Sequence, residues 1–314
     1  MSVRAVANAL QSRLRGRLEL DASLQRFTTY RLGGPAAVLM EPADENDVAL
    51  LGQALEEHGP NVPVLPIGRG SNLVMSDSGF EGVVVRIGGQ MAHISEESTP
   101  GLTAQAGVSM PVLANAAARR SMTGLEYMVA IPGAVGGGVR MNAGAHGHEV
   151  GDSLVSTTVI ELPSGKLRTR TTPELGLAYR ESDLRDTDIV TSATFSLHHD
   201  DPATIRQQME TFRRHRAETQ PGAVQNAGSV FKNPAGDFAG RVVEAAGLKG
   251  HAVRGAKVSE LHANFFIAGP GATAQDVFDL VNEVRVLVAD RLGIDLEPEI
   301  RFVGKFDRSQ VEAP

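Results

Sequence analysis

Apolar residues recur along this chain with two periods, near every third or fourth position and at every second position. They divide the sequence into short helices and strands. Residues 4–19 mix polar and apolar positions in a helical pattern. Arg31-Leu-Gly-Gly-Pro35 marks a sharp turn before a short strand over 36–40. Residues 44–58 read as an amphipathic helix with Asp44 as N-cap. An apolar strand over 62–67 runs directly into Gly68-Arg-Gly-Ser-Asn72. A strand over 82–87 and an alanine-rich helix over 111–121 follow. Further strands are expected over 154–162 and 188–197, with a turn at Pro163-Ser-Gly165 between them.

Asp200-Asp201-Pro202 looks like a boundary, after which a polar, basic helix is expected over 203–216. The later part contains residues 228–234 (GSVFKNP), a helix over 240–246, a strand over 263–267 and a helix over 274–292. The run 295–302 has period two: Leu296, Pro298, Ile300 and Phe302 share one face, and Glu297, Glu299 and Arg301 the other. A short polar tail ends the chain. There is no internal repeat. Strands and helices without strict alternation predict an α+β fold of several lobes, not one doubly wound sheet.

Length and composition narrow the function classes. A chain of 314 residues suggests two or three domains or lobes. The apolar fraction of 42% with 21% charged residues indicates a globular chain. A formal net charge of -7 argues against broad nucleic-acid binding. The absence of cysteine excludes disulfides, thiolate nucleophiles and Cys-based zinc sites. No apolar run reaches membrane-spanning length, and the first twenty residues lack a signal-peptide core. The expectation is a cytoplasmic protein with neither a nucleic-acid nor a membrane partner, monomeric by default. The 34 glycines imply tight turns or close backbone approach to something.

Each candidate for chemistry has an ordinary structural alternative. The N–H groups of residues 68–72 suit a phosphate, but no Gly-Lys-Ser/Thr follows, and an ordinary turn explains the loop slightly better. Residues 131–144 are more informative. Pro132-Gly133 followed by Gly136-Gly137-Gly138 is expected to form neither a stable helix nor a strand core. The apolar flank of Val129, Ile131, Val135 and Met141 favours backbone packed against a large planar or phosphorylated ligand over a flexible loop. Gly269 to Ala274 imitates a dinucleotide fingerprint, yet Thr273 capping a helix with Asp276 in its first turn explains it better. The 297/299/301 face reads as solvated or as an acid–base pair, with solvation preferred. Ser229 lies in no GxSxG elbow, which argues against a hydrolase triad, and a turn ending a loop is the ordinary reading. His146 and His148, and His198 and His199, lack a metal-helix spacing and read as loop histidines; no metal site is expected. The run Arg213-Arg-His-Arg216 reads as a solvated helix face that would also suit a diphosphate.

Together these segments resemble the UDP-N-acetylenolpyruvoylglucosamine reductase (MurB) family from about Phe27 to Gly304. The runs that carry the resemblance are 29–36 (TYRLGGPA), 68–73 (GRGSNL), 131–136 (IPGAVG), 141–144 (MNAG), 179–182 (YRES), 227–234 (AGSVFKNP), 258–264 (VSELHAN) and 296–301 (LEPEIR). Each is moderately specific; their order and spacing together are very specific. The resemblance implies a vanillyl-alcohol-oxidase/PCMH-type FAD-binding domain of two lobes (1–85 and 86–200), an α+β substrate-binding domain (201–295), and a C-terminal strand and tail (296–314) returning to the active site. It also implies the compact class, which lacks an extra tyrosine-bearing loop.

Carried over by position, the resemblance makes Ser229 the proton donor, with Arg180 and Glu299 polarising the substrate carboxylate. Non-covalent FAD would be held by Arg31, Gly33, Gly68, Arg69, Gly70, Ser71, Asn72, Leu73, Pro132, Gly133, Gly136, Gly137, Asn142, Ala143 and Gly144. Tyr179, Lys232, Asn233, His262 and Asn264 would meet the sugar nucleotide. NADPH is the implied co-substrate, and the implied reaction is reduction of an enolpyruvyl sugar nucleotide for peptidoglycan synthesis. Charge arising on an enolate explains a fixed cation. Three positions depart from the family pattern: Arg69 for a small residue, Tyr30 for phenylalanine and Asn226 for serine. Two rival readings are another FAD-dependent oxidoreductase on the same scaffold and a non-catalytic flavin-binding module.

Overall fold

The computed structural model describes residues 2–222 and 224–308. The chain forms two compact units. One contains the chain up to Ala22 with Ala37–Arg69 and Glu81–Arg216; the other contains Ser23–Ala36, Gly70–Phe80 and the chain from Ala217 on. Both mix helices with strands, as the α+β expectation requires.

The first unit begins with the helix Val3–Gln11, which buries Val6, Ala7 and Leu10. The helical pattern expected over 4–19 stops early, because Arg17–Ser23 is a strand. The buried Asp47 carboxylate ties down the intervening turn, accepting from the N–H groups of Arg15 at 3.1 Å and Gly16 at 2.9 Å. A side chain at Gly16 would strike the Glu41 carbonyl, so only glycine fits there. Helix Glu45–His58 starts as expected, with Asp44 accepting from the N–H groups of Asn46 and Asp47.

Four strands form one sheet in the order Arg17–Ser23, Pro35–Glu41, Phe80–Arg86, Val64–Ile67, the last two parallel. A five-stranded antiparallel sheet runs in the order Lys166–Thr171, Leu154–Glu161, Asp188–Ser196, Gly101–Gln105, Ile94–Glu96. The turn at 163–165 therefore leads first into Lys166–Thr171, a strand not expected from sequence. Its residues are nearly all exposed, so no buried face betrayed it. Its Lys and Arg side chains suit an edge that must not pair further. One apolar core joins the first unit's helices and sheets; Val38, Val85, Leu113, Ile160 and Phe195 belong to it.

The helix Pro202–Thr219 packs on the first unit through Ile205, Met209 and Phe212. Its basic run is not wholly solvated. Arg216 is half-buried and donates to the Ala130 carbonyl, while Arg213 donates to Asn115 at 3.0 Å.

The second unit has its own core. Tyr30, Leu32 and Val74 pack with Phe231, Val242, Phe266, Leu280 and Ile300. The Tyr30 hydroxyl, absent from the phenylalanine pattern, donates to the Phe266 carbonyl at 3.0 Å. Strand Leu73–Met75 pairs in parallel with Arg301–Val303. Of the run 295–302, only its end is therefore a strand, although Leu296 and Ile300 are buried as the alternation requires. The strand expected over 263–267 lies at Phe266–Ala268, in a three-stranded sheet with Ala252–Val253 and Ala256–Val258.

Helix Ala274–Leu292 is bounded as expected, with Thr273 and Asp276 forming a reciprocal capping box. The Asp77 carboxylate adds a second cap, accepting from the N–H groups of Ala274 and Gln275 at 3.0 Å each. The polar tail expected after the run 295–302 lies outside the described residues beyond position 308.

Candidate functional site

In the first unit the glycine-rich segment is a short helix, Val135–Arg140, where the sequence suggested a loop. The glycines serve close approach. A Cβ at Gly136 would lie 2.9 Å from Ala106 Cβ, and one at Gly138 would lie 2.9 Å from Met110 Sδ. The turn at 106–109 and the first residue of the helix Met110–Arg119 thus press against this helix. The Val135 N–H donates to the Val108 carbonyl at 2.8 Å and the Gly136 N–H to the Ala106 carbonyl at 3.0 Å.

Gly137 differs: a Cβ there would meet nothing within 4 Å. It opens on a narrow slot lined by Gly68, Gly136, Ile67, Ile87 and Val190. Arg140 and Asp188, which the sequence reading missed, also line it. Arg140 donates to the carbonyls of Leu184, Arg185 and Asp188, holding the slot's far wall in place. An apolar slot with one bare backbone face fits a planar ring, so these residues suit a flavin nucleotide.

Asn142, expected at the cofactor, is fully buried. Its amide donates to the Ala178 carbonyl at 3.1 Å, and its oxygen accepts from the Gly151 N–H at 2.9 Å. It braces the turn that carries Tyr179 and Arg180. Arg180 has a left-handed backbone, φ 58°, and donates to the Gly144 carbonyl at 2.9 Å. Its guanidinium lies 4.9 Å from the Tyr179 ring centre, a cation–π distance. Ala143 and Gly144 follow Asn142 and are half-buried; Pro132 is exposed and Gly133 half-buried.

The remaining expected flavin contacts lie along residues 31–33 and 68–73. Gly68 and Arg69 belong to the first unit; Arg31, Gly33, Gly70, Ser71, Asn72 and Leu73 belong to the second. Arg31 and Arg69 are exposed. Gly70 has φ 59°, and a Cβ there would strike the Phe27 carbonyl, so only glycine fits. Asn72 donates to the Glu299 carbonyl at 3.1 Å and accepts from the Arg301 N–H at 3.0 Å through its own carbonyl.

The second unit gathers Ser229, Lys232, Asn233, His262, Asn264 and Glu299. The buried Asn264 side chain grips the backbone of Phe231, accepting its N–H and donating to its carbonyl at 2.9 Å each. The Val230 N–H donates to the Asn264 carbonyl at 2.9 Å, and the Glu299 N–H to the Val230 carbonyl at 2.7 Å. Three separate segments thereby bring Ser229 and Glu299 close together. Lys232 pairs with Glu297 at 2.9 Å. Asn233 accepts from the Ala239 N–H at 3.0 Å, capping the helix Ala239–Ala245.

Ser229, Asn233, His262 and Asn264 line a cavity of about 370 Å³. Burial lowers the His262 pKa, leaving a neutral imidazole whose Nδ1 accepts from the Asn264 N–H at 3.2 Å. Phe238, Arg241 and Leu261 line the same cavity, and the sequence reading did not single them out. An exposed apolar residue carries no periodic signal.

Residues 35–170 match a family model described as an FAD binding domain. Residues 220–303 match one described as the UDP-N-acetylenolpyruvoylglucosamine reductase C-terminal domain. UDP-N-acetylenolpyruvoylglucosamine reductase 2 of Symbiobacterium thermophilum is 42% identical over 95% of this chain and 97% of its own. The reductase of Methylorubrum populi is 44% identical over 93% of each chain. The crystal structure of UDP-N-acetylenolpyruvylglucosamine reductase (MurB) from Thermus caldophilus covers 93% of this chain and 100% of its own, with TM-score 0.78 and 32% identity. Phl p 4.0202, a glucose dehydrogenase, covers 63% of this chain and 44% of its own at TM-score 0.50 and 14% identity, a likeness of fold alone. The FAD-binding part has the vanillyl-alcohol-oxidase/PCMH-type fold.

Proposed function

Because this chain belongs to the UDP-N-acetylenolpyruvoylglucosamine reductase family, we propose how its own residues divide the work of that FAD-dependent reduction. The reaction converts UDP-N-acetylglucosamine enolpyruvate to UDP-N-acetylmuramate for peptidoglycan synthesis. One NADPH and one proton are consumed for each double bond reduced. FAD, when bound, would supply the hydride chemistry between NADPH and the enolpyruvyl methylene carbon.

Hydride addition leaves negative charge shared between the adjacent carbon and the carboxylate. The Ser229 hydroxyl gives that carbon a proton, which forms the new C–H bond. Arg180 holds the substrate carboxylate and lowers the energy of the charge that develops there. Glu299 helps there as a protonated donor or by anchoring Arg180, and its backbone N–H bond to Val230 ties it to the residue after Ser229. Lys232 and Asn233 meet the sugar nucleotide together with Tyr179, His262 and Asn264. The Gly137 slot and residues 68–73 would hold the flavin nucleotide. The enzyme acts in the cytoplasm as a monomer.

One observation carries the assignment of Ser229. It lies on a cavity wall, and the buried Asn264 amide fixes the backbone two residues further on by gripping both the N–H and the carbonyl of Phe231. The test separates the two half-reactions. NADPH should bleach the flavin absorbance, and the enolpyruvyl nucleotide should restore it without oxygen. In Ser229→Ala, bleaching should persist and restoration should fall by at least about a hundredfold, within the range of general acid catalysis. Restoration only by oxygen in the wild type would point to a different flavoenzyme. Intact restoration in the alanine variant would remove Ser229 as donor.

A further inference from the structure

We propose that Phe238 is the platform on which the uracil ring of the substrate stacks, with Leu261 covering the ring from the other element of the cavity mouth. The proposal rests on the reading of Ser229 as the residue facing the enolpyruvyl end.

Burial shows which side of the cavity is the mouth. Asn264 is buried, whereas Phe238 and Leu261 are 69% and 53% exposed. A single exposed apolar side chain on a protein surface is ordinary. Two large ones lining the same cavity, from separate loops, make an apolar mouth above a polar floor. A substrate whose reacting end sits at Ser229 turns its other end toward that mouth. In a uridine nucleotide that end is a flat base with two polarisable faces.

Phe238 is held ready for such a base. Its N–H donates to the Asp237 carboxylate at 2.7 Å. The next N–H, of Ala239, donates to Asn233 at 3.0 Å. Asp237 also binds the Arg241 guanidinium, which donates from Nε at 2.6 Å and again from Nη2. The backbone on both sides of the ring is therefore fixed while the ring itself stands in solvent. Stacking on a side chain whose backbone is already fixed avoids the entropy cost of ordering a loop. Arg241 lines the same cavity, and its guanidinium is a set of donors of the kind that the carbonyl edge of uracil requires.

UDP binding, measured by calorimetry, tests the platform directly and needs no turnover. Phe238→Ala should weaken UDP binding about tenfold, in keeping with base–aromatic stacking, and Phe238→Tyr should restore it. In assays with the full substrate, the loss should appear in KM rather than in kcat. Inorganic pyrophosphate should bind wild type and variants alike, because it has no base. Leu261→Ala should weaken UDP binding in the same direction. Equal UDP affinity in wild type and Phe238→Ala, a tyrosine variant that fails to recover, or wild type that binds no UDP would each overturn the proposal. Wild type that binds UDP through Phe238 but does not reduce the enolpyruvyl nucleotide would leave the platform standing and refute the reductase reading instead.

Discussion

At the scale of the residue, three adjacent glycines separate packing from binding. Gly136→Ala places a methyl 2.9 Å from Ala106 Cβ. That overpacking should destabilise the protein by about 1–3 kcal/mol, read as a lower melting temperature with or without flavin. Gly137→Ala meets no atom within 4 Å and should raise apoprotein stability by about 0.5–1 kcal/mol. The same methyl enters the slot, so FAD titration should show weaker binding despite the higher apoprotein melting temperature. His262 offers a second test. Its folded pKa lies below its unfolded value, so the unfolded chain takes the proton first as pH falls. Stability contributed by the neutral ring is complete above the ordinary histidine range and declines as pH drops below about 6.5. Denaturant melts between pH 7.5 and 5 should show this decline, and His262→Gln should flatten it. The sequence singled out the glycine segment and His262. It did not show that Gly136 and Gly138 serve packing while Gly137 serves access, because that distinction depends on residues 106 and 110.

At the scale of the element, the helix Ala274–Leu292 was the most legible part of the chain. Its apolar period, its capping box and Gly293 at its end are all local signals. Its second cap was not legible, since Asp77 is almost two hundred residues away. The caps answer different needs: Thr273 accepts from the third N–H of the helix, and Asp77 from the first two. Burial alone would raise the Asp276 carboxyl, but hydrogen bonds from Arg254 and Thr273 outweigh it and hold it low. Asp77→Ala should therefore cost about 1–2 kcal/mol in chemical denaturation despite the intact capping box, because two helix N–H groups lose their acceptor. Local signals failed where an element was too short or too exposed to show a period. Lys166–Thr171 has no buried face, and 295–300 alternates without pairing continuously as a strand. The glycine helix was hidden for another reason: tertiary contact overrides the poor propensity of three consecutive glycines.

At the scale of the whole molecule, the α+β fold class was legible in sequence, but the segments from which the second unit is built were not. Tyr30, Leu32 and Val74 lie in its core although all precede residue 80. No periodicity connects residue 30 to residue 266. A fragment beginning at Ala217 would lack those three side chains and the strand that pairs with Arg301–Val303. It should show little cooperative thermal unfolding, and exposed apolar core should bind a hydrophobic dye. Adding peptides that span 23–36 and 70–80 should restore part of the missing structure, measurable as protected amides.

The same arrangement gives the chain a schedule during synthesis. Tyr30 leaves the ribosome early, but its acceptor, the Phe266 carbonyl, is made 236 residues later. At ordinary translation speeds the interval is on the order of ten seconds to a minute. Throughout it, Leu32 and Val74 have no finished core to enter, while most of the first unit can already condense. Nascent chains halted before residue 217 should therefore be the species most dependent on chaperones, and the need should disappear once the final strand has been released.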